Sequence, residues 1–177
     1  YHYIAEIIDH FDICAVQEVK QDLWPLKRLV KLLGPNWDYF VTDITEGGPG
    51  NRERQAFLYN KTKVFFRNLV GEIVLGKDAL IEGEQIARTP FFASFQSGWF
   101  RFTLCSVHII FGKDKTKRTK EISIMESLSG SNPVVSVSST ISRIQCPFHM
   151  GDDLIHSGTR AIHRFGRNNH IRAGALV

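Results

Sequence analysis

Two apolar runs that each end on a polar side chain constrain this chain more than anything else in it. Ile13 to Val16 is too short for a buried helix, and Ile13 and Val16 are β-branched, so residues 12–17 read as a buried strand. That strand stops abruptly on Gln17-Glu18, inside "FDICAVQEVK". A second run, "FTLCSVHIIF" from Phe102 to Phe111, carries His108 near its end. A fold built on these strands delivers a carboxylate and an imidazole to the rim of a sheet, where rigid elements hold functional side chains.

The rest of the pattern predicts an α/β arrangement. Ile4, Ile7, Ile8 and Phe11 have helical spacing, giving a helix over 2–10. Leu23, Leu26, Leu29, Val30 and Leu33 mark a second helix over 20–33, with Lys27, Arg28 and Lys31 on its wet face and Gly34-Pro35 as its stop. Strands are expected over 38–42, 55–60, 90–96 and 99–111, the last two joined as a hairpin at Ser97-Gly98. "KDKTKRTKEISIMESL" reads as a helix over 117–128. Adjacent strands are expected to run antiparallel.

At 177 residues the chain is long enough for one domain with a core. No apolar run reaches the roughly 18 residues a membrane helix needs. The net charge of +4 favours an anionic partner only mildly. Cys14 and Cys105 sit inside apolar runs and Cys146 makes no metal-type pair with either, which points to buried thiols, a reducing compartment and the cytoplasm. The chain opens on Tyr1, already inside a helical pattern, so a preceding segment and any signal it carried are expected to be missing.

Four polar residues invite a chemical reading, each beside a plainer one. Glu18 at a strand end suits a hard cation such as Mg²⁺, or is a solvated glutamate opening a loop. His108, opposite in parity to Val107 and Ile109, is a general acid or base, or a hydrogen-bonded core histidine. Glu53 in "NRERQAF" either orients a histidine or forms a rim salt bridge. Arg88 in "ARTPFF" either clamps a phosphate with its planar fork or is solvated.

Their order along the chain is more specific than any of them singly. "DICAVQEV" (12–19), "RERQAFLY" (52–59), "RTPFFASF" (88–95) and "SVHI" (106–109) together resemble the endonuclease/exonuclease/phosphatase superfamily, in its deoxyribonuclease-like branch. The resemblance runs from about residue 4 to residue 128. It implies a four-layer αββα sandwich with the site at one edge of two sheets, present here as an incomplete domain. It implies Glu18 as ligand of Mg²⁺ (or Mn²⁺ or Ca²⁺), Glu53 paired with His108, and His108 working at the scissile phosphate. It further implies Arg88, Arg52, Arg54 and Lys20 on substrate phosphates, and nucleic acid, with DNA favoured, as partner. RNA, phosphoinositides, sphingomyelin and small phosphate esters belong to the same fold. The alternative is a non-catalytic fragment that binds nucleic acid or a protein.

The family pattern also has parts this chain lacks. An Asn on a strand before the first helix has no counterpart, nor have Gly-Asp-x-Asn and a later Asp-His. Gly151-Asp152 comes nearest, but Leu154 stands where Asn belongs. By spacing, the missing motif falls at "SVSST" (136–140), just after Val134-Val135, which suggests a shifted reading frame near Val135. Residues 1–128 therefore read as the N-terminal part of the domain. Residues 129–177, rich in Gly, Ser, Arg and His and without periodicity, read as an atypical tail, disordered or frame-shifted. His149, His156, His163 and His170 recur every seventh position there, but the glycines between them argue against a shared helix face.

Overall fold

The computed structural model describes residues 1–44, 52–110, 115–129, 134–138, 163–165 and 171–176. Helix α1 (His2–Asp9) leads into strand β1 (Ile13–Lys20), and helix α2 (Trp24–Leu33) follows. Strands β2 (Trp37–Val41), β3 (Glu53–Asn60), β4 (Phe65–Glu72), β5 (Phe91–Ser97) and β6 (Phe100–Val107) precede helix α3 (Lys115–Ser129). Strands β7 (Val134–Ser138), β8 (His163–Phe165) and β9 (Ile171–Leu176) complete the described elements. One sheet has the order β2-β3-β1-β9-β8 and the other β4-β5-β6-β7.

The period-two alternation of the strands explains how these sheets meet. Ile13 and Ala15 of β1, Phe57 and Tyr59 of β3, Phe91, Ala93 and Phe95 of β5, and Phe102 and Leu104 of β6 share one buried cluster between the sheets. The opposite parity of the first sheet, Cys14, Ala56 and Leu58, packs instead against Ala5 and Ile8 of α1 and Leu26 and Leu29 of α2. On the far side, Cys105 and Val107 of β6 pack against Ile122 and Met125 of α3. The result is helix, sheet, sheet, helix: the four-layer αββα sandwich expected from the motifs. Burial pushes the Cys14 and Cys105 thiols up to about 12, so both are inert core groups.

Helix α2 begins with Pro25 in its first turn and stops at Gly34, whose φ of 95° is open to glycine and strained for other residues. No helix among the described residues is long and apolar enough to cross a membrane.

Two pairings depart from the antiparallel expectation. β6 runs parallel to β7. β1 runs parallel to β9, with Ile13 opposite Ala173 and Val16 opposite Leu176. The physical reason lies in β1, which is buried on both faces. Such a strand needs a partner on each edge to satisfy its backbone, and β3 supplies only one. Asp12 fixes the second edge by accepting the Arg172 backbone N–H at 2.8 Å. Against the expectation of a disordered or frame-shifted tail over 129–177, Ile171–Leu176 is an inner strand of the first sheet. His163 lies in β8. Gly151-Asp152, Cys146, His149, His156, His170 and residues 139–162 lie outside the described residues.

Gly174 offers a direct check on this pairing. A Cβ there would sit 2.8 Å from the Phe11 ring, closer than carbon atoms approach. Gly174→Val is expected to destabilise the chain by about 1–3 kcal/mol, the range for overpacking a core. An unchanged urea midpoint for that variant would show that β9 does not dock beside β1.

Candidate active site

Glu18 owes its position to a break in the β1–β3 ladder. The register shifts between Val16 and Val19, and Glu18 in that bulge has a φ of 54°. A left-handed conformation at a non-glycine residue is costly, and bulges of this kind re-aim a side chain. The strain takes the Glu18 carboxylate out of the plain alternation and leaves its side chain 51% exposed at the rim. Gln17, with the inward parity of Ile13 and Ala15, then crosses to the other sheet, donating to Val107 O at 3.0 Å and Ser106 Oγ at 3.3 Å.

This crossing brings β1's end to the segment that carries His108. The imidazole is buried, and its Nε2 lies 3.8 Å from Glu18 Oε1. That separation exceeds a direct hydrogen bond. His108 Nδ1 is buried without a hydrogen-bond partner among the described residues.

Glu53, at the start of β3, does not hold the histidine ring as expected. Its Oε2 accepts from Arg88 Nε at 3.1 Å, with both side chains largely buried. A guanidinium gives a carboxylate a charge-assisted hydrogen bond, which a neutral imidazole does not match. Arg88 thus reaches the same rim, bound to the carboxylate that the motif reading assigned to His108. Arg88, Glu53 and Glu18 all lie close enough to act electrostatically on the imidazole.

The remaining basic residues divide. Lys20 is exposed and faces Glu53 across the β1–β3 ladder, at the same end of the sheet. Arg52 is exposed, with a φ of 66°. Arg54 is instead tied into the neighbouring hairpin, donating to Thr42 O at 2.7 Å and lying 3.5 Å from Asp43. One of its guanidinium nitrogens is thereby engaged away from the Glu18–His108 pair.

Sequence reading passed over two side chains that hold this rim together. Gln55 of β3 donates to Thr89 O at 2.9 Å, pinning the segment after Arg88 to the first sheet. Gln17 does the same for the segment before His108. Both signals were visible in the alternation: Gln17 and Gln55 share the parity of core residues, and a buried amide must find partners.

Burial pushes the His108 imidazole below its ordinary value of 6.5, and the Arg88 charge pushes the same way, against the pull of Glu18, Glu53 and Glu121. The folded chain therefore takes up a proton at His108 less readily than the unfolded chain. His108 contributes stability that is intact above 6.5 and lost as pH falls below it through the folded value. Urea midpoints at pH 7.5 and 5.5 are expected to fall further on acidification in the parent than in His108→Asn. Equal drops would contradict the depressed imidazole.

For a metal ion, Glu18 is the right kind of donor, an exposed carboxylate oxygen on a rigid strand end. It stands alone in that role: among the described residues no three His, Cys, Asp or Glu side chains converge on one point. The described donors fit one protein contact to a largely hydrated Mg²⁺, which retains water readily.

No family model and no curated protein sequence matches the chain. Solved structures do match in fold. They include the human Nocturnin catalytic domain with bound sulfate anion, at 12% identity and a TM-score of 0.58, covering 78% of this chain and 54% of that one. An endonuclease/exonuclease/phosphatase family protein from Bacteroides thetaiotaomicron matches at 19% identity and 0.56, covering 78% and 54%. D. rerio TDP2 complexed with single strand DNA product matches at 16% identity and 0.54, covering 80% and 52%. The chain thus has the fold of endonuclease/exonuclease/phosphatase-family proteins and spans about half the length of these solved structures.

Proposed function

We propose that this chain carries the phosphate-handling rim of a Mg²⁺-dependent phosphodiester hydrolase, with DNA as the favoured substrate. The observation that supports this most is the approach of Glu18 Oε1 to within 3.8 Å of His108 Nε2, from two different sheets, with the Arg88–Glu53 pair alongside. A carboxylate, a neutral imidazole and a fixed guanidinium at one rim suit an anionic diester better than any neutral substrate. The net charge of +4 and the single-stranded DNA product held by the TDP2 relative point the same way.

In this reading each side chain has a separate task. Glu53 holds Arg88 at Nε, and the fork's terminal nitrogens, which make no hydrogen bond among the described residues, take a phosphate oxygen. His108 stays neutral at pH 7 because burial and Arg88 disfavour its cation, so Nε2 can exchange a proton with a group in the gap beside Glu18. Glu18 holds one position of the hydrated ion. A bound ion would supply Lewis-acid neutralisation of the phosphate's charge at that position. Lys20 and Arg52 at the same rim attract the flanking phosphates.

A second reading, a binder without catalysis, is favoured because among the described residues no three candidate ligand side chains gather at one point. One experiment separates the two. The chain is incubated with single-stranded and plasmid DNA in Mg²⁺ and in EDTA. Mg²⁺-dependent cutting supports the hydrolase; a mobility shift without cutting supports the binder; neither would remove both.

A further inference from the structure

Glu121 is a buried carboxylate, only 3% exposed, to which the reading above gives nothing beyond a distant pull on His108. It lies in the second turn of α3, whose apolar residues Ile122 and Met125 already anchor the helix to the second sheet. Burying an ionised carboxylate is expensive unless it is fully hydrogen-bonded, so a helix needing only to pack has no use for one here.

Its two oxygens are spent on two different segments. Oε1 accepts the Ala87 backbone N–H at 3.0 Å, and Oε2 accepts the Ile110 backbone N–H at 2.8 Å. Ala87 immediately precedes Arg88, and Ile110 is two residues beyond His108. Neither segment is secured by sheet pairing at these positions: β5 begins only at Phe91, and β6 ends at Val107. From the geometry we infer that Glu121 is a positioning residue, a two-armed clamp that fixes the Arg88 and His108 segments at one spacing. The clamp itself stands on the two hydrogen bonds; what the spaced pair then does rests on the phosphodiester reading.

The physical content is a shared constraint. A single carboxylate bonded to both backbone donors couples the position of the Arg88 segment to that of the His108 segment. A glutamine in its place keeps one acceptor oxygen and presents an N–H₂ to the other donor, leaving one buried N–H unsatisfied. One segment is then released while α3 remains packed through Ile122 and Met125.

The test is nuclear magnetic resonance on the isotopically labelled chain. In the parent, through-hydrogen-bond couplings are expected from both the Ala87 and Ile110 amide nitrogens to the Glu121 carboxylate carbon; absence of either coupling overturns the clamp. In Glu121→Gln, the resonance on the released side, Arg88 Nε–H or the His108 ring, is expected to move, and inorganic phosphate read at those resonances to bind at least about tenfold more weakly. Ile122→Val, which loosens the packing of α3 without touching the clamp, is expected to leave both resonances in place. If Ile122→Val moves them as much, or Glu121→Gln moves neither, Glu121 is merely a packing anchor and the inference is wrong. Should Glu121→Gln fail to fold, Glu121→Asp, which keeps the charge but cannot span both donors, is read in the same way. The couplings and resonance positions are read without phosphate, so a parent chain that binds none sinks the functional reading and leaves the clamp to be judged separately.

Discussion

His108→Ala is expected to lower Mg²⁺-dependent hydrolysis of a phosphodiester by about 10²–10⁴-fold, the usual contribution of a positioned general acid or base. The ring's placement leads to this figure. It is the only imidazole at the rim formed by Glu18, Arg88 and Glu53, among the described residues, and its neutral form is favoured at pH 7. The substitution should leave the fold intact, because among the described residues His108 Nδ1 has no hydrogen-bond partner to lose. The same assay on Glu53→Gln is expected to show a smaller loss, mainly through weaker binding, since Glu53 bonds Arg88 directly and reaches the imidazole only through its charge. A His108→Ala variant cutting at the parent rate would place the chemistry elsewhere.

The largest effect on stability is expected at Phe95. Its side chain is fully buried and its ring meets Phe40, Phe57, Tyr59, Phe66 and Phe102, so it touches both sheets at once. Phe95→Ala is expected to cost about 3–5 kcal/mol, from lost burial and the cavity left between the sheets. Against a total of about 5–15 kcal/mol for a domain, that brings the chain close to unfolding. Trp99, at the exposed hairpin tip and 96% accessible, is the matched control. Trp99→Ala is expected to change stability by no more than about 0.5 kcal/mol. Urea denaturation of the two variants measures the contrast, and a comparable loss at both sites would contradict the sandwich core.

Much of this architecture was legible in the alternation of the strands. The parity of Ile13 and Ala15 against Cys14, and of Phe91, Ala93 and Phe95 against Phe92, separates the inter-sheet face from the helix-facing ones, as three clusters confirm. The order of the four motifs brought Glu18, Glu53, Arg88 and His108 to one rim. Their pairing was not legible, because it depends on competition at short range: once Arg88 lies beside Glu53, the charged donor takes the carboxylate. The bulge at Glu18 was hidden because a left-handed glutamate has no sequence signature, unlike a glycine. Glu121 was hidden because an amphipathic helix normally shows glutamate to water, and only the tertiary fold turns this one inward. The pairing of Ile171–Leu176 with β1 joins segments about 160 residues apart, beyond the reach of any local pattern.

The most direct test of the central claim, that this rim receives a phosphodiester, does not depend on turnover. The chain is titrated with a short single-stranded oligodeoxynucleotide in Mg²⁺ while the His108 ring and Arg88 Nε–H resonances are followed. The account predicts saturable shifts at His108 and Arg88, accompanied by the backbone amides of Glu18 and Lys20. Saturable shifts confined to other surfaces, with those four residues unmoved, would contradict it.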